Sequence, residues 1–179
     1  MTSRHRLLAA SAATLLVGAA ALSSASGATA ATTRLHLDGI GPLKLGMTRT
    51  AALATGWLAN RRPGCELASP RPIDYRFSGP NAPRGLHGSA EFRRGRLRNL
   101  SFTGGVRTAT GVTVGRTTTA RMVARYRSAG FAASAQFVST FGGTFVRVRR
   151  RSGGADVIGG FARRRTVTTL AVPVVAVCE

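Results

Sequence analysis

The chain has 179 residues and sets 26 basic residues against six acidic ones, a formal charge of +20 at pH 7. Its length allows one ordinary domain with a real apolar core, which excludes a miniature scaffold held together only by staples. Twenty-five of the 26 cations are Arg and only Lys44 is Lys, a bias that GC-rich coding would account for, but such coding would not account for the shortage of acids. The positive field is therefore a property of the protein and is suited to polyanions.

Taken in chain order, residues 1–30 read as a secretory signal peptide. Arg4 and Arg6 make a cationic start, residues 7–22 are apolar and rich in Ala, Leu and Val, and Ala28-Thr29-Ala30 offers a small-x-small cleavage site. The alternative, a membrane anchor, is disfavoured by the weak hydrophobicity of the Ala-rich run and by the lack of stop-transfer charges after it. No Cys stands near the cleavage point for lipid attachment, and His5 separates the two Arg, so the general secretory route and a secreted location are expected. Cleavage after Ala30 takes two Arg and leaves 24 cations against six acids, a charge of +18.

The mature sequence contains an internal repeat. One constant shift along the chain sets Leu43 on Val112, Leu45 on Val114, Gly46 on Gly115, Thr48 on Thr117, Leu53 on Met122 and Trp57 on Tyr126. Farther on, Phe92 meets Phe161, and with one inserted residue Leu97 meets Val167 and Leu100 meets Leu170. The mature domain thus divides into a first half, 31–106, and a second, 107–179. In each half an apolar alternation reaches a turn at Gly46 or Gly115, and a Thr then caps a helix. The helices are predicted at 49–58 and 118–128, with stripes of Leu53, Ala54, Trp57 and Met122, Val123, Tyr126 packed inward. Gly56 threatens the first helix, and Gly130 suits the end of the second.

Strands follow. Ile73, Tyr75 and Phe77 alternate with polar residues, as do stretches 145–151 and, less cleanly, 156–161. Arg94-Gly95 and Ser152-Gly153-Gly154 read as hairpin turns. The β-branched stretch 166–178 reads as a last strand in which Pro173 marks an edge or bulge. Segments 68–72 and 78–88 read as loops. The expected fold class is α+β, two similar helix-plus-antiparallel-sheet repeats with the helices packed on one face of the sheet.

The element Gly41-Pro42-Leu43-Lys44-Leu45-Gly46-Met47-Thr48 and its second copy, Thr108-Ala109-Thr110-Gly111-Val112-Thr113-Val114-Gly115, resemble a group of small exported bacterial domains. These are the β-lactamase inhibitor protein-like repeats and the related outer-membrane assembly lipoprotein domains, most of all their uncharacterised secreted members in high-GC Gram-positive bacteria. The resemblance implies a continuous curved sheet and a binding role without catalysis. The chain departs from the inhibitor in having no disulfide within each half, and from the lipoproteins in having no acylated Cys. No functional residue is carried over.

Cys65 and Cys178 are the only cysteines. In an exported protein an even pair reads as one disulfide, here closing a loop that takes in most of the mature chain. For catalysis the mature chain offers His36, His87 and six acids, none of them close together in sequence. Glu66, Asp74 and Glu91 could serve as paired carboxylates only if the fold united two of them; otherwise each is expected to partner an Arg. There is no metal-ligand motif, nucleophile elbow or cofactor loop, so the expectation is a protein that is not an enzyme, with no cofactor and no metal. What remains is Arg placement. Arg147, Arg149 and Arg151 alternate with Val146 and Val148, and Arg94, Arg96 and Arg98 share one parity after a turn. These six residues form the expected polyanion-binding set, with anionic cell-wall polymer or lipid headgroups as partners. Specific nucleic-acid recognition is not expected, because no aromatics are interleaved for base stacking. The alternative reading is a proteinaceous inhibitor that turns its sheet toward a secreted enzyme.

Overall fold

The computed structural model describes residues 32–66 and 69–177. The expected signal peptide and Cys178 lie outside the described residues. The α+β expectation is overturned, because the described residues are mostly β, 49% strand and 13% helical, with only two α-helices. The first helix, α1, covers Arg49–Ala54 and the second, α2, Thr119–Ser128. α1 is shorter than predicted because the chain turns at Gly56, whose φ of +71° ends it. The helices supply only Ala52, Met122 and Tyr126 to the buried set, and the strands build the rest of the core.

A small sheet joins β1 (Thr33–His36), β2 (Gly39–Ile40), β3 (Leu43–Lys44) and β8 (Val106–Thr108) in the order β3-β2-β1-β8, with β1 and β8 parallel. The large sheet holds β4 (Ala59–Pro63), β5 (Ile73–Arg76), β6 (His87–Arg93), β7 (Arg96–Gly104), β9 (Phe131–Val138), β10 (Gly143–Arg150), β11 (Asp156–Arg163) and β12 (Thr166–Val172). Its order is β4-β5-β6-β7-β12-β11-β10-β9. Four strands from each half of the sequence therefore fan outward from a β7–β12 seam, where Leu100 pairs with Val172 and Phe102 with Leu170.

Three backbone hydrogen bonds recur in the two halves. Gly46 N donates to Leu97 O and Gly115 N to Val167 O, both at 2.8 Å. Leu97 N meets Met47 O where Val167 N meets Thr117 O, and Arg49 N meets Gly95 O where Thr119 N meets Arg165 O. Thr48 caps α1 and Thr118 caps α2, each hydroxyl accepting from the backbone N three residues on. From Met47 onward the shift between the halves is thus one position longer than the ungapped pairing gives, and Arg116 is the inserted residue. The ungapped pairing is out of step by that one position through the helices, so Ala52 stands where Met122 does. Trp57 is not the counterpart of Tyr126; it lies beyond the end of α1, half-buried over Gly41, where a Cβ would come within 2.3 Å of the indole.

One face of the large sheet is the core face. Leu100, Phe102, Val146, Val148, Ile158, Leu170 and Val172 are at most 1% exposed there, and Gly160 makes room for the Met122 sulfur. Side chains alternate along a strand, so Gly159 looks the other way. A Cβ on Gly159 would sit 2.6 Å from the backbone N of Val175. The chain after β12 therefore doubles back as a strap, residues 173–177, across the open face. Asn99 Nδ2 holds it by donating to Val174 O at 2.7 Å.

Candidate anion-binding face

The strands set the Arg side chains apart by burying what lies between them. Val146 is 1% and Val148 0% exposed, whereas Arg147 and Arg149 are exposed. Leu97 is fully buried between exposed Arg96 and Arg98. The β6–β7 turn is the predicted two-residue hairpin, with Arg94 at φ +49° and Gly95 at +72°. Register places this turn and the β10–β11 turn at the same end of the sheet, since low-numbered β7 runs beside the end of β12 and the start of β11. Three strand spacings, roughly 14 Å, separate β7 from β10.

The six predicted residues do not all share one face. Arg147 Nε donates to Asp156 Oδ2 at 2.8 Å and Arg149 Nε lies 3.7 Å from Oδ1, so one nearly buried carboxylate orients Arg147 by a hydrogen bond and offsets part of the charge of Arg149 without bonding it. Arg94 and Arg98 border a groove beside the strap, about 590 Å³, together with Arg93, Asn99, Pro173 and Val174. Arg96 instead donates to Gly46 O at 2.9 Å, and Arg151 lies past the end of β10 and reaches Arg127 O of α2 at 3.4 Å. Parity along a strand held for Arg147 and Arg149 and failed where the strand ended.

A second basic cleft escaped the sequence reading. On the open face Arg62, Arg76 and His87 line a cavity of about 490 Å³ with Ser89, Ser101 and Thr103. His87 is the first residue of β6, not a loop residue. Register sets Arg76 beside Ser89 and Ser89 beside Ser101, giving a row of donors across three strands. The alternation of Arg76 with Tyr75 and Phe77 was the available signal.

The acids are also redistributed. Asp38, Glu66, Glu91 and Asp156 each pair with a cation, as expected, but Asp74 has no ion pair among the described residues. It stands directly across from Glu91 on the neighbouring strand, so the fold does unite two carboxylates. Asp74 Oδ1 and Asn99 Oδ1 are both buried without a hydrogen-bond partner. Burial, then the nearby Glu91 charge, raises the Asp74 pKa above 3.8, against the opposing pull of Arg62 and Arg93. The cavity holding both carboxylates, lined also by Cys65, Ser89, Ser101 and Ala176, measures only about 120 Å³. That is room for a few waters and well below the size of an ordinary substrate site.

The sign of the Asp74 shift fixes its effect on stability. A carboxyl whose folded pKa is raised penalises the folded state while ionised, and the penalty fades as pH falls from the folded value toward 3.8. Asp74→Asn is therefore expected to raise the urea midpoint at neutral pH, and the gain should vanish around pH 4. An equal gain at both pH values would show that charge is not its cause.

Cys65 lines this same cavity as Ala176, two residues short of Cys178. No free cysteine is found among the described residues. No group of three or more metal-ligating side chains occurs among them either. No family model, curated protein or solved structure matches the chain.

Proposed function

We propose that the mature chain is an exported binding module, without catalysis, whose open sheet face takes anionic polymer rich in phosphate. The observation that carries this reading is the local excess of cations on that face. Arg147 and Arg149 share the single charge of Asp156, and Arg94 and Arg98 have no carboxylate partner among the described residues. Arg62 and Arg76 extend the basic surface across the same face. Guanidinium forks match phosphate oxygens in pairs and keep their charge at any physiological pH. Several exposed forks spread over roughly 14 Å suit a repeating ligand better than a compact one, because each contact is weak and their number supplies affinity.

The test is retention of the mature protein on a phosphate-backbone wall polymer and on anionic phospholipid vesicles. Arg94→Gln with Arg98→Gln, and separately Arg147→Gln with Arg149→Gln, should each weaken binding about tenfold or more, as loss of two charge-assisted contacts does. The first pair leaves Asp156 untouched, so it separates loss of binding from loss of fold. Full retention by both double variants would show these Arg to be a solvated surface only.

A further inference from the structure

The two edges of the large sheet are unlike. β4 carries Arg61, Arg62 and Pro63, has Asn60 at φ +54°, and slips register against β5 between Ala59 and Arg61. Charge, proline and irregularity are what keep an edge from pairing with another strand. β9 has none of them. Its eight residues, Phe131–Val138, carry no charge and no Pro, and they run in unbroken register along β10. It ends near Phe137, which is 65% exposed, the most exposed large apolar side chain among those described.

The sequence of this edge reads nearly the same in both directions about Ser134: Phe131, Ala132, Ala133, Ser134, Ala135, Gln136, Phe137. We infer that β9 pairs antiparallel with β9 of a second copy of this chain, about a two-fold axis at Ser134. That register sets Phe131 opposite Phe137, Ala132 opposite Gln136, Ala133 opposite Ala135 and Ser134 opposite itself. An isologous contact needs such self-complementarity, and few segments of a chain possess it. Residues 131, 133, 135 and 137 share the core side of the sheet, since Ala133 pairs with Val148 and Ala135 with Val146. The Phe131–Phe137 pairs would therefore cover the exposed ring at both ends, with Ala between them keeping the centre flat. Aromatic cross-strand pairs are among the stronger ones.

Arg127 bears on this contact in two ways. Arg127 Nε donates to Ala133 O at 2.9 Å, which leaves that oxygen a second lone pair for the incoming strand. The Arg127 charge meets the same charge of the second copy's Arg127 near the axis, so pairing should strengthen as salt rises. Polymer binding should respond in the opposite sense. The pairing does not depend on the proposed ligand, and the open faces of two paired copies would lie in one continuous sheet.

The experiment uses the mature protein without any polymer. Light scattering should show mass moving from monomer to dimer with concentration, and more so at high salt. Ser134→Cys should form a covalent dimer under mild oxidation, about tenfold faster than Gln136→Cys, because only position 134 faces itself across the axis. Ala135→Lys, at an exposed position, should fold normally and stay monomeric. Monomer mass for the wild type at every concentration and salt, equal cross-linking at 134 and 136, or a dimer that survives Ala135→Lys would overturn the inference.

Discussion

Reducing the mature protein, or changing Cys65 and Cys178 to Ser, is expected to cost about 4–5 kcal/mol of stability. The proposed bridge would close a loop running from Cys65 to Cys178, most of the mature chain. Confining so long a loop removes much of the entropy of the unfolded state, and the benefit grows with loop length. In the folded state the strap already heads the right way, with Asn99 gripping Val174 and with Ala176 and Cys65 lining one small cavity. Loss of the bridge should also loosen the strap and expose Asp74, Glu91 and Asn99 to water. The comparison is urea unfolding of oxidised and reduced protein, with thiol alkylation of the denatured, unreduced chain as the direct assay. Two reactive thiols, or equal midpoints, would refute the pairing.

How much of this was legible in the sequence depended on the strength of local periodicity. The alternation that becomes β10, the turn at Arg94-Gly95 and the Thr48 cap each announced themselves, because a buried Val, a left-handed turn and an orphan N–H have local solutions. The second cap, expected at Thr117, falls on Thr118 because Arg116 is inserted before it. The small sheet did not, since short strands such as Gly39–Ile40 and Leu43–Lys44 leave no room for a period to show. β9 was missed because Ala, Ser and Gln give neither an apolar stripe nor β-branching. The fold class went wrong for a related reason. The apolar stripe ascribed to the first helix included Trp57, which the turn at Gly56 carries out of the helix, so strands outweigh helices in the core. The Asp74–Glu91 pair and the Arg76–Ser89–Ser101 row arise from register between strands far apart in sequence, and register is not written locally. The β7 bulge at Arg98, opposite Glu91 and Phe92 of β6, is a further case, because it leaves Arg98 without a cross-strand partner and free to border the groove.

The second large effect concerns salt. Each phosphate neutralised releases a condensed counterion, and on a single-stranded polyanion each contact adds roughly 0.7 to the slope of log affinity against log salt. Arg94, Arg98, Arg147 and Arg149, less the charge of Asp156, together with Arg62 and Arg76 of the neighbouring cleft, amount to about five such contacts, a slope near −3 to −4. Affinity for phosphate polymer should therefore fall on the order of a hundredfold between 50 and 200 mM salt. A protein interface with an apolar centre, the arrangement an enzyme inhibitor would use, would respond far less.

The most direct measurement is this slope, determined for the wild type and for a variant with Arg94, Arg98, Arg147 and Arg149 all changed to Gln. The account predicts a steep slope for the wild type, a loss of roughly 2–3 in its magnitude for the variant, and an unchanged far-UV spectrum in both. A flat slope for the wild type, or the same steep slope in a folded variant, would contradict it.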